Sequence, residues 1–127
     1  MRNAVYFLLS QDATLEALGV KKVYSSAAID TPKEDIFLVT RWEETVAAFK
    51  SVGTRNLTII ANCRSANYKL LDSILDQIKE VMTSVTHLSG SDGQLTQASW
   101  TGDSPDGRDP GFRTYFKSSS FQCNGVI

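Results

Sequence analysis

Residues 67–88 read NYKLLDSILDQIKEVMTSVTHL. Leu71, Ile74, Leu75, Ile78, Val81, Met82 and Val85 recur there at spacings of three and four, which predicts a helix over Asn67–Leu88 with one buried face. The opposite face carries Lys69, Asp72, Asp76, Lys79 and Glu80, a solvated surface whose charges can pair along the helix. A helix with one apolar stripe needs another surface to cover it, and the segments before it supply candidates. In Arg55–Cys63 the alternation places Leu57, Ile59, Ala61 and Cys63 on one side of a strand, with Gly53 shortly before it. Ile36–Trp42 is rich in β-branched and aromatic residues between charged flanks, and it also reads as a strand.

Working outward, Arg2–Leu18 has helical periodicity in Val5, Leu8, Leu9, Leu15 and Leu18, with a polar interruption. Asp12 suits the cap of a second short helical segment, and Gly19 stands where a helix would end in a left-handed residue. Lys22–Ser25 is a brief β-like piece, and Ala27–Pro32 reads as a loop. Glu43–Val52 is expected to form a hairpin-like excursion. After a turn cluster at Ser89–Gly93, Gln94–Thr101 alternates Leu95, Gln97 and Ser99 against Thr96, Ala98 and Trp100, as a strand does. Gly102–Gly111 holds three glycines and two prolines, a density at which no packed element is expected. Phe112–Cys123 reads as a long final strand, bulged near Ser118–Ser120. The expected fold is therefore α+β: one domain over residues 1–127, a mostly antiparallel β-sheet with two main helices packed on one face and the other sheet face free.

Composition narrows the function classes. The chain has 127 residues, 42% of them hydrophobic and 21% charged, as in globular proteins with a real core. Its formal net charge of −1 leaves no bulk attraction for nucleic acid or anionic membrane. The apolar stretch near the N-terminus meets Gln11 and Asp12 too soon for a signal peptide, and no stretch approaches a membrane span. A soluble protein of the cytoplasm is expected. Cys63 and Cys123 lack any zinc-like or redox spacing and read as buried or half-buried thiols in a reducing compartment.

Motifs for chemistry are sparse. His87 is the sole histidine, so no second imidazole can join it at a metal, and its place at a helix end suits the dipole. A Cys–His pair would need Cys63 or Cys123 to reach it; Cys63, in phase with its strand's apolar side, reads better as a small buried hydrophobe. Glu43 and Glu44, and the triplet Asp103, Asp106 and Asp109, are the candidate carboxylate groups. The triplet could hold a hard cation but lacks the register of a calcium loop, and solvated loop acids are the better reading. The glycine-rich run has no helix N-terminus to receive a phosphate. No catalytic, cofactor or metal residue is assigned. What stands out instead are large aromatics at strand ends or beside long loops, Trp42, Phe49, Trp100, Phe112 and Tyr115, together with Arg55, Arg64, Arg108 and Arg113. These cap the core, or lie between subunits of an assembly, where aromatics and arginines are favoured. Trp42, Phe49, Arg55, Trp100, Arg108 and Phe112 form the candidate interface set.

The layout resembles the tail terminator proteins of long-tailed siphophages, also called tail completion or tail-to-head joining proteins, of the type found in phages of actinobacteria. The likeness rests on Leu15–Gly19 leading into Val23 and Tyr24, on Ile36–Trp42, Arg55–Asn62 and Tyr68–Val85, and on Trp100-Thr101-Gly102 followed by a variable loop and Arg113–Cys123. It spans nearly the whole chain. The resemblance implies a virion protein at the neck of the tail, assembled in the host bacterial cytoplasm. It implies a ring, a hexamer in the family, that caps the tail tube, stops its polymerisation and meets head-completion or neck connector proteins. The implied partners are thus further copies of the chain, the tail tube protein and the connector, with no membrane, no cofactor and no enzymatic activity; DNA would pass through the lumen without sequence-specific binding. Residues 43–54 and 102–111 are expected to project toward neighbours. Alternatives are another neck or minor tail connector, or a small cytosolic ligand-binding domain or enzyme.

Overall fold

A computed structural model describes residues 2–25, 34–44, 52–85, 88–90, 93–111 and 113–126. Residues 45–51 of the expected excursion, the loop after Ser25, and residues Phe49, His87 and Phe112 lie outside the described residues; the two ends of the excursion, residues 43–44 and 52–54, belong to strands. The elements are α1 (Arg2–Ser10), α2 (Ala13–Ala17), β1 (Lys22–Ser25), β2 (Ile36–Glu44), β3 (Val52–Cys63), α3 (Tyr68–Thr83), β4 (Leu88–Gly90), β5 (Gly93–Asp103), β6 (Gly107–Asp109) and β7 (Thr114–Val126). The strands form one sheet in the order β1-β2-β3-β7-β5-β4, with β6 continuing along β7. Among the described residues only β1 and β2 pair in parallel; the other pairs are antiparallel. This is the expected α+β class.

The polar interruption in the first helical segment is a true break. The Asp12 carboxylate accepts the Leu15 N–H at 2.9 Å and starts α2, while Gly19 ends it at φ +102°. The same carboxylate accepts the Gln77 side-chain amide at 3.1 Å, which fastens α2 to α3. The long helix is shorter than its apolar repeat. Asn67 caps it, accepting the Leu70 N–H at 3.1 Å. At the other end the Thr83 and Ser84 hydroxyls donate back to the Lys79 and Glu80 carbonyls. Such back-bonding by a hydroxyl-rich turn ends the helix, and Leu88 becomes the first residue of β4.

One face of the sheet receives the helices. In register across it lie Leu38, Ala61 and Lys117, then Trp42, Leu57, Phe121 and Trp100. Leu71, Ile74, Leu75, Ile78 and Met82 of α3 are all at most 1% exposed against this face and join Val5, Leu9 and Leu15 in one core. Each such side chain contributes roughly 1.5–3 kcal/mol on burial. A flat six-strand sheet would be about 24 Å across, yet α1, about 10 Å wide, touches β1 at one edge and both β4 and β5 at the other. The sheet therefore curls around the helices.

Several expectations are corrected. Strict alternation would send Leu95 and Ala98 to opposite faces. A register shift between Leu95 and Gln97 inserts one residue, so both are buried on the helix side, at 0% and 4% exposure. A second shift lies between Trp100 and Gly102, so the irregularity expected near Ser118–Ser120 sits on β5, opposite Ser120 and Phe121, rather than on β7. The turn cluster after α3 instead contains β4, paired with the start of β5. The Gly/Pro run is not a projecting loop: β5 extends to Asp103, the Ser104 N–H donates to Ser118, and β6 pairs with β7. The run thus hugs the long final strand, which begins at Thr114. The second sheet face is not wholly free either. Phe37 and Val39 are 0% and 4% exposed there, beside the buried hydrogen bond from Thr114 Oγ1 to Asn62 Oδ1.

Removing buried volume from α3 by Ile78→Ala is expected to cost roughly 2–5 kcal/mol, read from urea unfolding. Glycine supplies a sharper check. A Cβ on Gly90 would come within 2.8 Å of the Ala4 backbone nitrogen, whereas one on Gly102 would meet nothing within 4 Å. Gly90→Ala should lower the melting temperature by several degrees, and Gly102→Ala should leave it within a degree or so.

Candidate functional site: aromatic and charged surface

The four described members of the candidate set do not converge on one point. Trp42 and Trp100 stand at the two ends of the row Trp42-Leu57-Phe121-Trp100, three strand spacings or about 14 Å apart. Trp42 is half-buried and packs on the core. Arg55 lies one pleat further along β3, opposite Cys123. Arg108 belongs to β6, near the start of β7, where its guanidinium sits 5.9 Å from the Tyr115 ring centre. Tyr115 meets Tyr68 edge-on, and the Tyr68 hydroxyl donates to the Gly107 carbonyl at 3.0 Å. That cluster staples the N-terminus of α3 to the Gly/Pro run.

Trp100 is the best-placed of the set. It is 49% exposed, yet its indole N–H donates to Asp103 Oδ1 at 2.9 Å and Lys79 Nζ lies 4.7 Å from its ring centre. Lys79 also bonds Asp103 Oδ2 at 2.6 Å, and the Ser119 hydroxyl donates to Asp103 Oδ1. A half-exposed indole held at its polar edge and over its ring is a rigid apolar projection that loses little conformational entropy on contact. Two further exposed aromatics, Tyr6 at 44% and Phe7 at 53%, stack edge-on at the surface of α1. The sequence carried their signal: Ala4–Leu9 is apolar at every position, more than one helical stripe can bury.

The acids of the Gly/Pro run separate. Asp103 serves Lys79, Trp100 and Ser119; Asp106 pairs with Lys117 at 3.3 Å; Asp109 accepts the Gly111 N–H at 2.8 Å. Among the described residues no group of His, Cys, Asp and Glu converges as metal ligands would. Both thiols are buried. Burial pushes the Cys123 thiol up to about 12, leaving it protonated and poorly nucleophilic at neutral pH. Cys63 Sγ lies 3.3 Å from the Ser65 hydroxyl. A cavity of about 220 Å³ opens between α1, α2 and β1, walled by Leu9, Leu15, Val20 and Val23 with Lys21 and Glu16 at hand.

For Asp103, burial acts to raise the carboxyl, but the hydrogen bonds from Lys79, Ser119 and Trp100 outweigh it and hold the group below the usual carboxylate range. A depressed folded-state value contributes stability that is present above the unfolded value of about 3.9 and is lost as pH falls through the lowered one. Asp103→Asn should thus melt below the wild type at neutral pH, with the gap narrowing on acidification beneath about pH 4. An equal gap across that range in thermal scans would show that the carboxylate charge contributes nothing.

In fold the chain is similar to a chain of a solved structure described as the virion of native gene transfer agent (GTA) particle. The likeness has a TM-score of 0.80 and covers 100% of this chain and 95% of the other, at 17% sequence identity. No family model and no curated protein matches the sequence.

Proposed function

We propose that the protein is a structural component of a phage-like virion that works by assembly and performs no chemistry of its own. The observation that carries this is the fold likeness to a virion chain, end to end on both sides, with a TM-score of 0.80. A shared fold alone does not transfer function. The surface agrees with the reading, since it offers a held, half-exposed tryptophan and a pair of exposed aromatics, the residue types that anchor protein interfaces.

Within that reading, the finer proposal is a tail terminator. Residues 1–127 form one tail-terminator-like domain, and copies close into a ring, a hexamer, at the neck end of the tail. The ring caps the tube, stops its growth and receives the head-completion or neck connector protein, while DNA crosses its lumen without sequence readout. A head-to-tail interface closes into such a ring when the rotation per copy permits it. Trp42, Phe49, Arg55, Trp100, Arg108 and Phe112 are the proposed contacts to neighbouring copies or to the tube.

The decisive measurement is tail length, by electron microscopy, in particles produced when this gene carries a nonsense mutation. Overlong tubes without heads are the expected result. Tails of normal length that fail to join heads would reassign the protein to a neck connector, and normal infectious particles would overturn the virion role.

A further inference from the structure

The outward face of α1 is unlike that of the longer helix α3. Asn3, Tyr6, Phe7 and Ser10 stand at i, i+3, i+4 and i+7, so they share one stripe, and all four are exposed. None is charged, and neither is any other residue from Asn3 to Gln11. On α3 the exposed face carries Lys69, Asp72, Asp76 and Glu80, as is usual for a helix that meets water. Of the three large hydrophobic side chains exposed among the described residues, two, Tyr6 and Phe7, fall on the α1 stripe.

The two rings already meet edge-on, with centres 5.7 Å apart. The other side of the helix is fixed by Ala4, Val5 and Leu9, each at most 1% exposed, with the Ala4 backbone close against Gly90 of β4. A cavity lies on each flank of this ridge. The one of about 220 Å³ is beside Tyr6 and Ser10, and a second of about 280 Å³ is beside Phe7 and Leu8, bordered by Leu88 of β4. A ridge between two hollows is a shape against which a second helix packs.

We propose that α1 packs on α1 of a second copy, antiparallel about a two-fold axis that passes between Tyr6 and Phe7. The occupant is a second copy because the stripe is its own complement. A two-fold contact sets a surface against its own equivalent, so a charged stripe would repel itself; this one carries no charge. Asn3 and Ser10 are equidistant from the axis, so Asn3 of each copy lies across from Ser10 of the other, and an amide donates well to a hydroxyl. The four rings gather between these two polar pairs. The charged groups around the stripe, Arg2, Asp12, Glu16, Lys21 and Lys22, are of both signs, so its margins do not oppose the contact with one sign of charge. With Tyr6 and Phe7 only about half exposed, the contact is small beside a standard interface, and the pair is a weak one, with a Kd of roughly tens of micromolar. The proposal goes beyond the virion reading and does not rest on it: a two-fold contact is complete at two copies and is distinct from the head-to-tail contact of a ring.

The test uses the full chain, in sedimentation velocity over a concentration series and in cysteine cross-linking. Tyr6→Ser/Phe7→Ser should self-associate at least about tenfold more weakly than the wild type, while circular dichroism shows an unchanged fold. Cross-linking reads the register. Both native thiols are buried, so a cysteine placed on the stripe is the accessible one. Asn3→Cys mixed with Ser10→Cys should give a disulfide-linked dimer under mild oxidation. Either variant alone should give little, because its two cysteines would lie about 10 Å apart along the helix direction, beyond the reach of a disulfide. These variants keep both rings, so they test the pairing even where the serine variant fails to fold. A wild-type chain that stays monomeric up to several hundred micromolar, a folded serine variant that associates like the wild type, or a mixture that links no faster than its separate components would each overturn the α1 pairing.

Discussion

Everything in this fold leans on the seating of α3 along β7. The helix runs beside the final strand from Tyr68, which is edge-on to Tyr115, through Asp72 on Lys117, to Lys79 on Asp103, whose carboxylate also accepts the Ser119 hydroxyl. Its apolar stripe fills the trough formed by Leu57, Ile59, Phe121 and Cys123. Because β7 pairs with β3, β5 and β6, a helix fixed to it orients most of the sheet. Burial supplies the driving force, and the two lysines set the position along the strand, since apolar contact alone is nondirectional.

The curl of the sheet follows from the same geometry. A single thin layer of helix must satisfy both edges, and it does so at a close approach, where Gly90 lets the backbone of α1 rest directly on β4. The bulges on β5 serve the curvature as well, since an inserted residue bends a strand and increases its twist. They also bring Leu95 and Ala98 to the core together, so the irregular spacing of that segment is part of the packing.

What the described surface offers is aromatic more than reactive. The chemically reactive types are engaged elsewhere: the acids of the Gly/Pro run bind separate partners, and Cys123 is a buried, protonated thiol. What faces solvent is aromatic at Tyr6, Phe7 and Trp100. Trp100 ties the two themes together. Its indole belongs to the network that positions α3, and the same network holds it half-exposed.

The local code settled much of this. The three-and-four spacing of Leu71–Met82, the alternation of Leu57–Cys63, the cap at Asp12 and the left-handed Gly19 were all legible, because each depends on periodicity or on the chemistry of one or two residues. So were the α+β class and the buried cysteines. What sequence could not convey was decided by contacts between distant segments. The Gly/Pro run lies flat as β6 because β7 offers it a backbone to pair with, and pairing across a hairpin overrides local turn preference. Leu95 and Ala98 face one way because β7 and α3 reward their common burial more than the bulge costs. Phe37 and Val39 are hidden on the second face although their strand's pattern shows only that they share a side. Trp100 was legible as a candidate contact, but its grip on Asp103 and Lys79 needed β5 and α3 brought side by side, which only the tertiary structure does.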